Sequence, residues 1–328
     1  MFSDLSAIDV FAAAQRLDGV ARRTALRRSA ALSDQLGDVY LKLENEQVTG
    51  SFKIRGAYNA IACLPEEARG RGVVTSSAGN HGLGVAYAAR KLGVPASIFV
   101  PSTSPDVKRN GIASMGATVD ATAPHYNAAL TLGRQAAAEQ KLSFINACLG
   151  DDLIAGQGTI ALEVAQELPE LRTVVVPVGG AGLLAGVGSF LRAVAPRVRI
   201  VGAQSVNTAA MARSLTTGAV VSVPAVPTLA DGLAGDIDEF ALDVGRNALD
   251  EMLLLTEDEI ERAIAWLARH EGMIAEGSAA VGVAALLSGK LDTLPRPMVL
   301  LITGRNIEPP VHERILMQRS LPEPRPQA

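Results

Sequence analysis

The sequence predicts an α/β protein built on open parallel sheets. Three observations carry the prediction. Short apolar, β-branched runs recur along the chain, Ala-rich amphipathic stretches separate them, and Gly-containing turns join the two kinds of segment. Strand alternating with helix predicts parallel sheets covered on both faces. A chain of 328 residues has room for about two domains.

The strands are expected at Val39–Leu43, Val73–Ser76, Ala96–Val100, Thr118–Ala121, Thr173–Val178, Arg199–Ala203 and Met298–Ile302. Amphipathic segments between them include Tyr58–Cys63, Gly82–Lys91, Ala128–Gln140, Thr159–Gln166, Leu183–Ala195 and Glu257–His270. Thr256 with Glu259 three residues on predicts a capped helix start. The tail from Leu321 carries Pro322, Pro324 and Pro326 and is expected to be disordered. The sequence has no internal repeat and no low-complexity linker.

Composition narrows the function. Hydrophobic residues make up 48% of the chain and charged residues 20%, as in a soluble globular protein. The net charge of −4 argues against nucleic acid, whose binders show a basic excess or stripe. No apolar run reaches the roughly 18 residues that span a bilayer. The first twenty residues hold Asp4, Asp9 and Asp18 and no basic cluster, unlike a signal peptide. Cys63 and Cys148 are too few for a disulfide framework or a zinc site. A cytoplasmic enzyme or binding protein is therefore expected. Only six basic residues are lysines: Lys42, Lys53, Lys91, Lys108, Lys141 and Lys290.

Four stretches carry chemistry. In Thr49-Gly50-Ser51-Phe52-Lys53-Ile54-Arg55-Gly56-Ala57, a strand runs into a turn and a helix opens at Lys53. An amine near a positive helix end is biased toward its neutral, nucleophilic form, although a solvated lysine fits the same place. Ser76-Ser77-Ala78-Gly79-Asn80-His81-Gly82 joins a strand to a helix, where backbone N–H groups bind anions; a plain Asn-capped turn is the bland alternative. Val178-Gly179-Gly180-Ala181-Gly182-Leu183 ends a buried strand in glycines that let N–H groups approach a phosphate. A dinucleotide fingerprint fails there. The spacing from Gly180 is G-x-G-x-x-x-G, and the next strand ends in Gln204 and Ser205 rather than an acid. No Lys-Ser/Thr pair follows, which excludes a P-loop. Finally, Thr303-Gly304-Arg305-Asn306 puts a hydroxyl at a strand end, where ligands of open sheets sit; an ordinary turn fits too.

In this order and spacing the four stretches resemble the fold-type II pyridoxal-phosphate (PLP) enzymes, and most closely the serine/threonine dehydratase and serine racemase group. The resemblance runs from about Arg23 to Asn306 and takes in Ala155–Thr159, Ala230–Gly232 and Glu276–Gly282. It implies two open parallel-sheet α/β domains with PLP between them. Residues 1–70 and 148–320 would form the large domain and 71–147 a small inserted one. It also implies roles. Lys53 would hold the cofactor as a Schiff base, Phe52 would pack beside its ring, and Asn80 would bond its 3′-oxygen. Gly179, Gly180, Ala181, Gly182 and Leu183 would cradle the phosphate, and Thr303 would meet the pyridine nitrogen. Ser77, with Ala78 and the backbone at Asn80 and His81, would hold the substrate carboxylate. The implied activity removes water and then ammonia from a 3-hydroxy amino acid to give a 2-oxo acid. Lys53 would act as base. A hydroxyl at the ring nitrogen would favour prompt loss of the β-hydroxyl.

Departures from the pattern sharpen this. Racemases of the group carry a serine where Ala78 stands, so racemization is disfavoured. The cation site of many relatives needs an acid where Gln204 stands, so no metal is expected. The segment Asn146–Gly150 replaces a His-Pro-Phe-like run. Arg305 replaces a glycine and either reads a larger or more acidic substrate or pairs with a neighbouring acid. Dehydratases of hydroxyectoine breakdown or of 3-hydroxyaspartate stay open as alternatives. A β-replacement synthase is disfavoured by the wording at Ser51–Ala57 and Ser77–His81. A non-catalytic ligand-binding module is disfavoured by Lys53, the glycines and Thr303. The group's habit implies a homo-oligomer, dimer or tetramer. The short sequence after Asn306 leads us to expect no regulatory domain.

Overall fold

The computed structural model describes residues 5–224 and 226–319; the tail expected to be disordered lies outside the described residues. Two α/β domains are organised around two sheets. The strands are β1 (Leu26–Arg28), β2 (Val39–Lys42), β3 (Val73–Ser76), β4 (Ala96–Pro101), β5 (Thr118–Ala123), β6 (Ser143–Phe144), β7 (Thr173–Pro177), β8 (Arg199–Ser205), β9 (Glu251–Leu255) and β10 (Met298–Leu301). The six-stranded sheet runs β1-β2-β10-β7-β8-β9 and the four-stranded sheet β5-β4-β3-β6. Every pairing is parallel except β1 with β2, which is antiparallel at the edge.

The seven expected strands are present to within two residues at each end, and the capping box at Thr256 and Glu259 forms. Strands β3, β7 and β10 are buried along their whole length, as expected for uninterrupted Val/Leu runs covered on both faces. Three strands were not legible. Strand β1 is a short, basic edge, β6 has two residues, and β9 reads Glu-Met-Leu-Leu-Leu, without β-branched residues. The helix expected from Thr159 begins at Asp151, because Gly156 and Gly158 break its apparent periodicity. Those glycines serve close packing. A Cβ on Gly156 would stand 2.5 Å from the Arg55 carbonyl oxygen, and one on Gly158 3.0 Å from that of Gly186. Helices Lys53–Ala62, Asp151–Glu167 and Gly182–Val194 therefore pack backbone to backbone.

A buried ionic cluster locks the first of these helices. Arg55 is 1% exposed. Its Nε and Nη2 donate to Glu44, both at 2.8 Å, and its Nη1 donates to Glu163 Oε1 at 2.6 Å and to Thr159 at 3.1 Å. Lys42, fully buried, donates to Glu163 Oε2 and to the Thr24 carbonyl. Two cations thus face two carboxylates, and most of their hydrogen-bonding capacity is used. Burial works to raise the pKa of Glu44, but the charge and hydrogen bonds of Arg55, with Lys42 behind, overcome it and hold the carboxyl below its ordinary value. The stability this gives is full above the ordinary carboxyl pKa and is lost as pH falls through the depressed one.

Removing one partner would leave opposite charges buried and unpaired. Arg55→Leu should lower unfolding stability by about 3–5 kcal/mol, read from urea titration. A loss within the ~0.5 kcal/mol of a surface change would show that the cluster does not hold the helix.

Candidate active site

Parallel sheets bind ligands at switch points, where neighbouring strands send their connections in opposite directions. In the large sheet the chain passes from β7 to β8 on one side, while β10 lies on the other. In the small sheet it passes from β3 to β4 on one side, with β6 on the other. The segments leaving β7, β10, β3 and β6 are Gly179–Leu183, Thr303–Asn306, Ser77–His81 and Ile145–Gly150. Hydrogen bonds from Lys53 to Ala147 and from Asn80 to Glu276 join the two sides.

Lys53 is the first residue of helix Lys53–Ala62. Its Nζ donates to the carbonyl oxygen of Ala147 at 2.9 Å and lies 5.1 Å from the Phe52 ring centroid. Ala147 follows β6, so the amine bridges the two crevices. The turn ahead of Lys53 is fixed to the segment after β10. Phe52 N–H donates to the Thr303 carbonyl at 3.1 Å, Arg305 N–H to that of Gly50 at 2.9 Å, and Ser51 forms a bridge with Gly304. Thr303 is 3% exposed.

The glycine loop is shaped by its neighbour. A Cβ on Gly182 would stand 2.7 Å from Cys148 Cα, and one on Gly180 2.7 Å from Cys148 Sγ. Asn146 folds that facing segment: its Oδ1 accepts from Cys148 N–H at 2.8 Å and Leu149 N–H at 3.0 Å. The departure at Asn146–Gly150 is thus a turn fitted against the loop. Ala181 takes φ 64, a left-handed conformation costing about 1–2 kcal/mol without glycine, immediately before helix Gly182–Val194. The strain aims the helix N-terminus and its free N–H groups at the crevice.

On the small-domain side, helix Asn80–Leu92 starts beside Ser77, whose hydroxyl accepts from Gly79 N–H at 3.3 Å. Ala78 is half-buried there. His81 is buried with its ring turned away, its Nε2 3.0 Å from the Ile145 carbonyl oxygen. Burial first, and the charge of Lys53 second, push its pKa down to about 3, so the ring stays neutral and Nε2–H donates to that carbonyl. The His81 side chain ties the loop to β6, which leaves its backbone N–H for a ligand.

Two further residues complete the arrangement. Asn80 Nδ2 donates to Glu276 Oε1 at 2.8 Å, and Asn80 Oδ1 accepts from Asn306 Nδ2 at 2.6 Å. Glu276 precedes the apolar helix Gly277–Leu287, and a carboxylate directly ahead of an apolar run was the signal that could have singled it out. Arg305 is exposed and makes no ion pair among the described residues, so the neighbouring-acid pairing is not formed. Gln204 is buried, and its Oε1 accepts from Ala212 N–H at 3.3 Å. Among the described residues no group of three or more His, Cys, Asp or Glu is placed to hold a metal ion.

The donor set fits PLP: an amine, a glycine loop with no room for a Cβ at Gly182, a threonine hydroxyl at a strand end and an amide. Comparisons with known proteins agree. A family model described as "Pyridoxal-phosphate dependent enzyme" matches residues 17–304. The L-threonine ammonia-lyase of Thermotoga maritima is 42% identical, over 94% of this chain and 77% of its own. The processed threonine deaminase isoform 2 of Solanum lycopersicum superposes with a TM-score of 0.90 at 32% identity, covering 95% of this chain and 86% of that one. Maize serine racemase also superposes with a TM-score of 0.90, at 27% identity, over 96% of this chain and 98% of its own.

Gly182→Ala should abolish PLP retention on dialysis, because its methyl group meets Cys148 backbone. Ala181→Gly should keep the cofactor and raise stability by up to about 1 kcal/mol. Undiminished PLP binding by Gly182→Ala would remove the phosphate cradle from this loop.

Proposed function

Because the chain belongs to the pyridoxal-phosphate-dependent enzyme family, we propose that it is a lyase of the threonine ammonia-lyase type. It removes water and then ammonia from a 3-hydroxy amino acid, L-threonine or L-serine, to leave a 2-oxo acid. The observation that carries this reading is the Lys53 amine. It stands where the two crevices meet, and among the described residues its one hydrogen bond is to the Ala147 carbonyl.

PLP, when bound, supplies an electron sink for charge left at the substrate Cα. The residues of the chain supply the rest. Lys53 Nζ holds the cofactor, and once released takes the Cα proton as general base. The N–H groups of Gly179, Gly180, Ala181, Gly182 and Leu183 hold the phosphate. Thr303 sets a neutral hydroxyl at the ring nitrogen, and Phe52 flanks the ring. Asn80 keeps one N–H for the 3′-oxygen. Ser77 and the helix start at Asn80 and His81 receive the substrate carboxylate. Closure of the small domain, residues 71–147, on the large one, residues 1–70 and 148–320, excludes water. Ala78 offers no proton to the second face of the substrate, which supports elimination over racemization.

A second reading follows from Arg305. An exposed guanidinium without an acid partner among the described residues, beside Thr303 and Gly304, supports a substrate with a second carboxylate such as 3-hydroxyaspartate. A hydroxyectoine-derived amino acid is a further candidate. As part of the same reading the enzyme is a cytoplasmic homo-oligomer, dimer or tetramer. The support is the resemblance, together with the finding that no described helix is long and apolar enough to cross a membrane.

The test is 2-oxo acid release from L-serine, L-threonine, the 3-hydroxyaspartates and a hydroxyectoine-derived amino acid. L-Threonine or L-serine should turn over, and Lys53→Ala should lose roughly 10²–10⁴-fold or more. Turnover of a 3-hydroxyaspartate alone, lost in Arg305→Gly, would establish the second reading. No release from any of them by PLP-loaded protein would overturn both.

A further inference from the structure

Asn80 is held by partners from the other domain. It opens the helix after β3, whereas Glu276 and Asn306 belong to the six-stranded side. Glu276 is 6% exposed, and both its oxygens accept: Oε1 from Asn80 Nδ2 at 2.8 Å and Oε2 from Asn306 N–H at 3.1 Å. Asn80 must then turn its carbonyl to Asn306, whose Nδ2 donates to it at 2.6 Å and to the Thr49 carbonyl at 3.0 Å. The chain of donors and acceptors runs one way. Flipping Asn80 would set its donor against the Asn306 donor, flipping Asn306 would set acceptor against acceptor, and a side chain that accepts twice fits at Glu276.

We propose that Glu276 is a positioning residue that fixes the orientation of the Asn80 amide and, through Asn80 and Asn306, latches the small domain onto the large one. The inference rests on the cofactor reading above for the purpose of the orientation, and on the hydrogen-bond chain alone for the latch. One N–H of Asn80 is committed to Glu276; the other, uncommitted among the described residues, is left for the cofactor. A second link lies nearby, where Lys108 on the small-domain side reaches Glu308 at 3.4 Å. The charged groups facing Glu276 are Asp231 and Lys108. Burial, followed in effect by the Asn80 bond that opposes it, leaves the carboxyl pushed up to about 7. The folded chain therefore keeps a proton that the unfolded chain releases near 4.5, so stability relative to Glu276→Gln should fall as pH rises between these values.

The experiment is a swap cycle on the full chain, well above pH 7. Glu276→Gln must set its amide donor against either the Asn80 donor or the Asn306 N–H, and Asn80→Asp sets two acceptors together. Combined, the two changes restore a complete chain with its direction reversed between positions 80 and 276. Amide exchange across Val73–Leu92 should quicken about tenfold in each single variant and return toward wild type in the pair. PLP binding should weaken in both single variants and stay weak in the pair, because the donor to the cofactor is gone. Additive exchange effects, or no effect in the single variants, would overturn the latch. Restored PLP affinity in the pair would overturn the orienting role. Wild-type chain that binds no PLP would instead sink the cofactor reading, and the exchange cycle would still judge the latch.

Discussion

The cluster of Arg55, Glu44, Glu163 and Lys42 is the constraint on which the site depends. One residue, Ile54, separates Arg55 from Lys53, and both lie in the first turn of one helix. Placing four charges in the interior is favourable only when each is paired and bonded, which restricts the helix to one seating. The arginine fork engages β2's continuation through Glu44 and the helix Asp151–Glu167 through Glu163. The amine is thereby set at a crevice by a network with no part in the chemistry. Apolar packing of the same volume would hold the helix with less angular definition.

The second determinant is topology. Each sheet reverses its strand order once inside its body, and each reversal opens a crevice at the carboxyl ends of the strands. The inserted sheet faces its crevice to that of the first, so four loops far apart in sequence converge. Backbone approach then becomes limiting. Gly180 and Gly182 have no room for a side chain against Cys148, and Ala181 stores left-handed strain between them. The departure at Asn146–Gly150 falls on the segment that meets this loop, so it reshapes the cradle rather than a remote surface.

Much of this was legible in the sequence because the decisive segments are local. Strands β3, β7 and β10 are continuous β-branched or Leu runs ending in turn residues, so both the strands and the loops after them could be placed. Asn80, Thr303 and the glycines fall on those loops, and Lys53 opens the helix after β2. What stayed hidden depends on pairing across the fold. Strand β9 looks helical residue by residue and becomes a strand only by pairing with β8. Glu276 stands 196 residues from Asn80, and nothing local marks their bond. Nothing local shows that Arg55 and Lys42 are buried; Glu44 and Glu163 close around them only in the fold. The His81 ring turns to the Ile145 carbonyl, a contact between segments that the sequence does not mark.

The central claim is that the fold delivers one particular amine to a PLP site. The most direct test is borohydride reduction of the PLP-loaded protein, followed by peptide mass spectrometry. The account predicts the phosphopyridoxyl label on Lys53 alone. A label on Lys42, Lys91, Lys108, Lys141 or Lys290, or none at all, would contradict it.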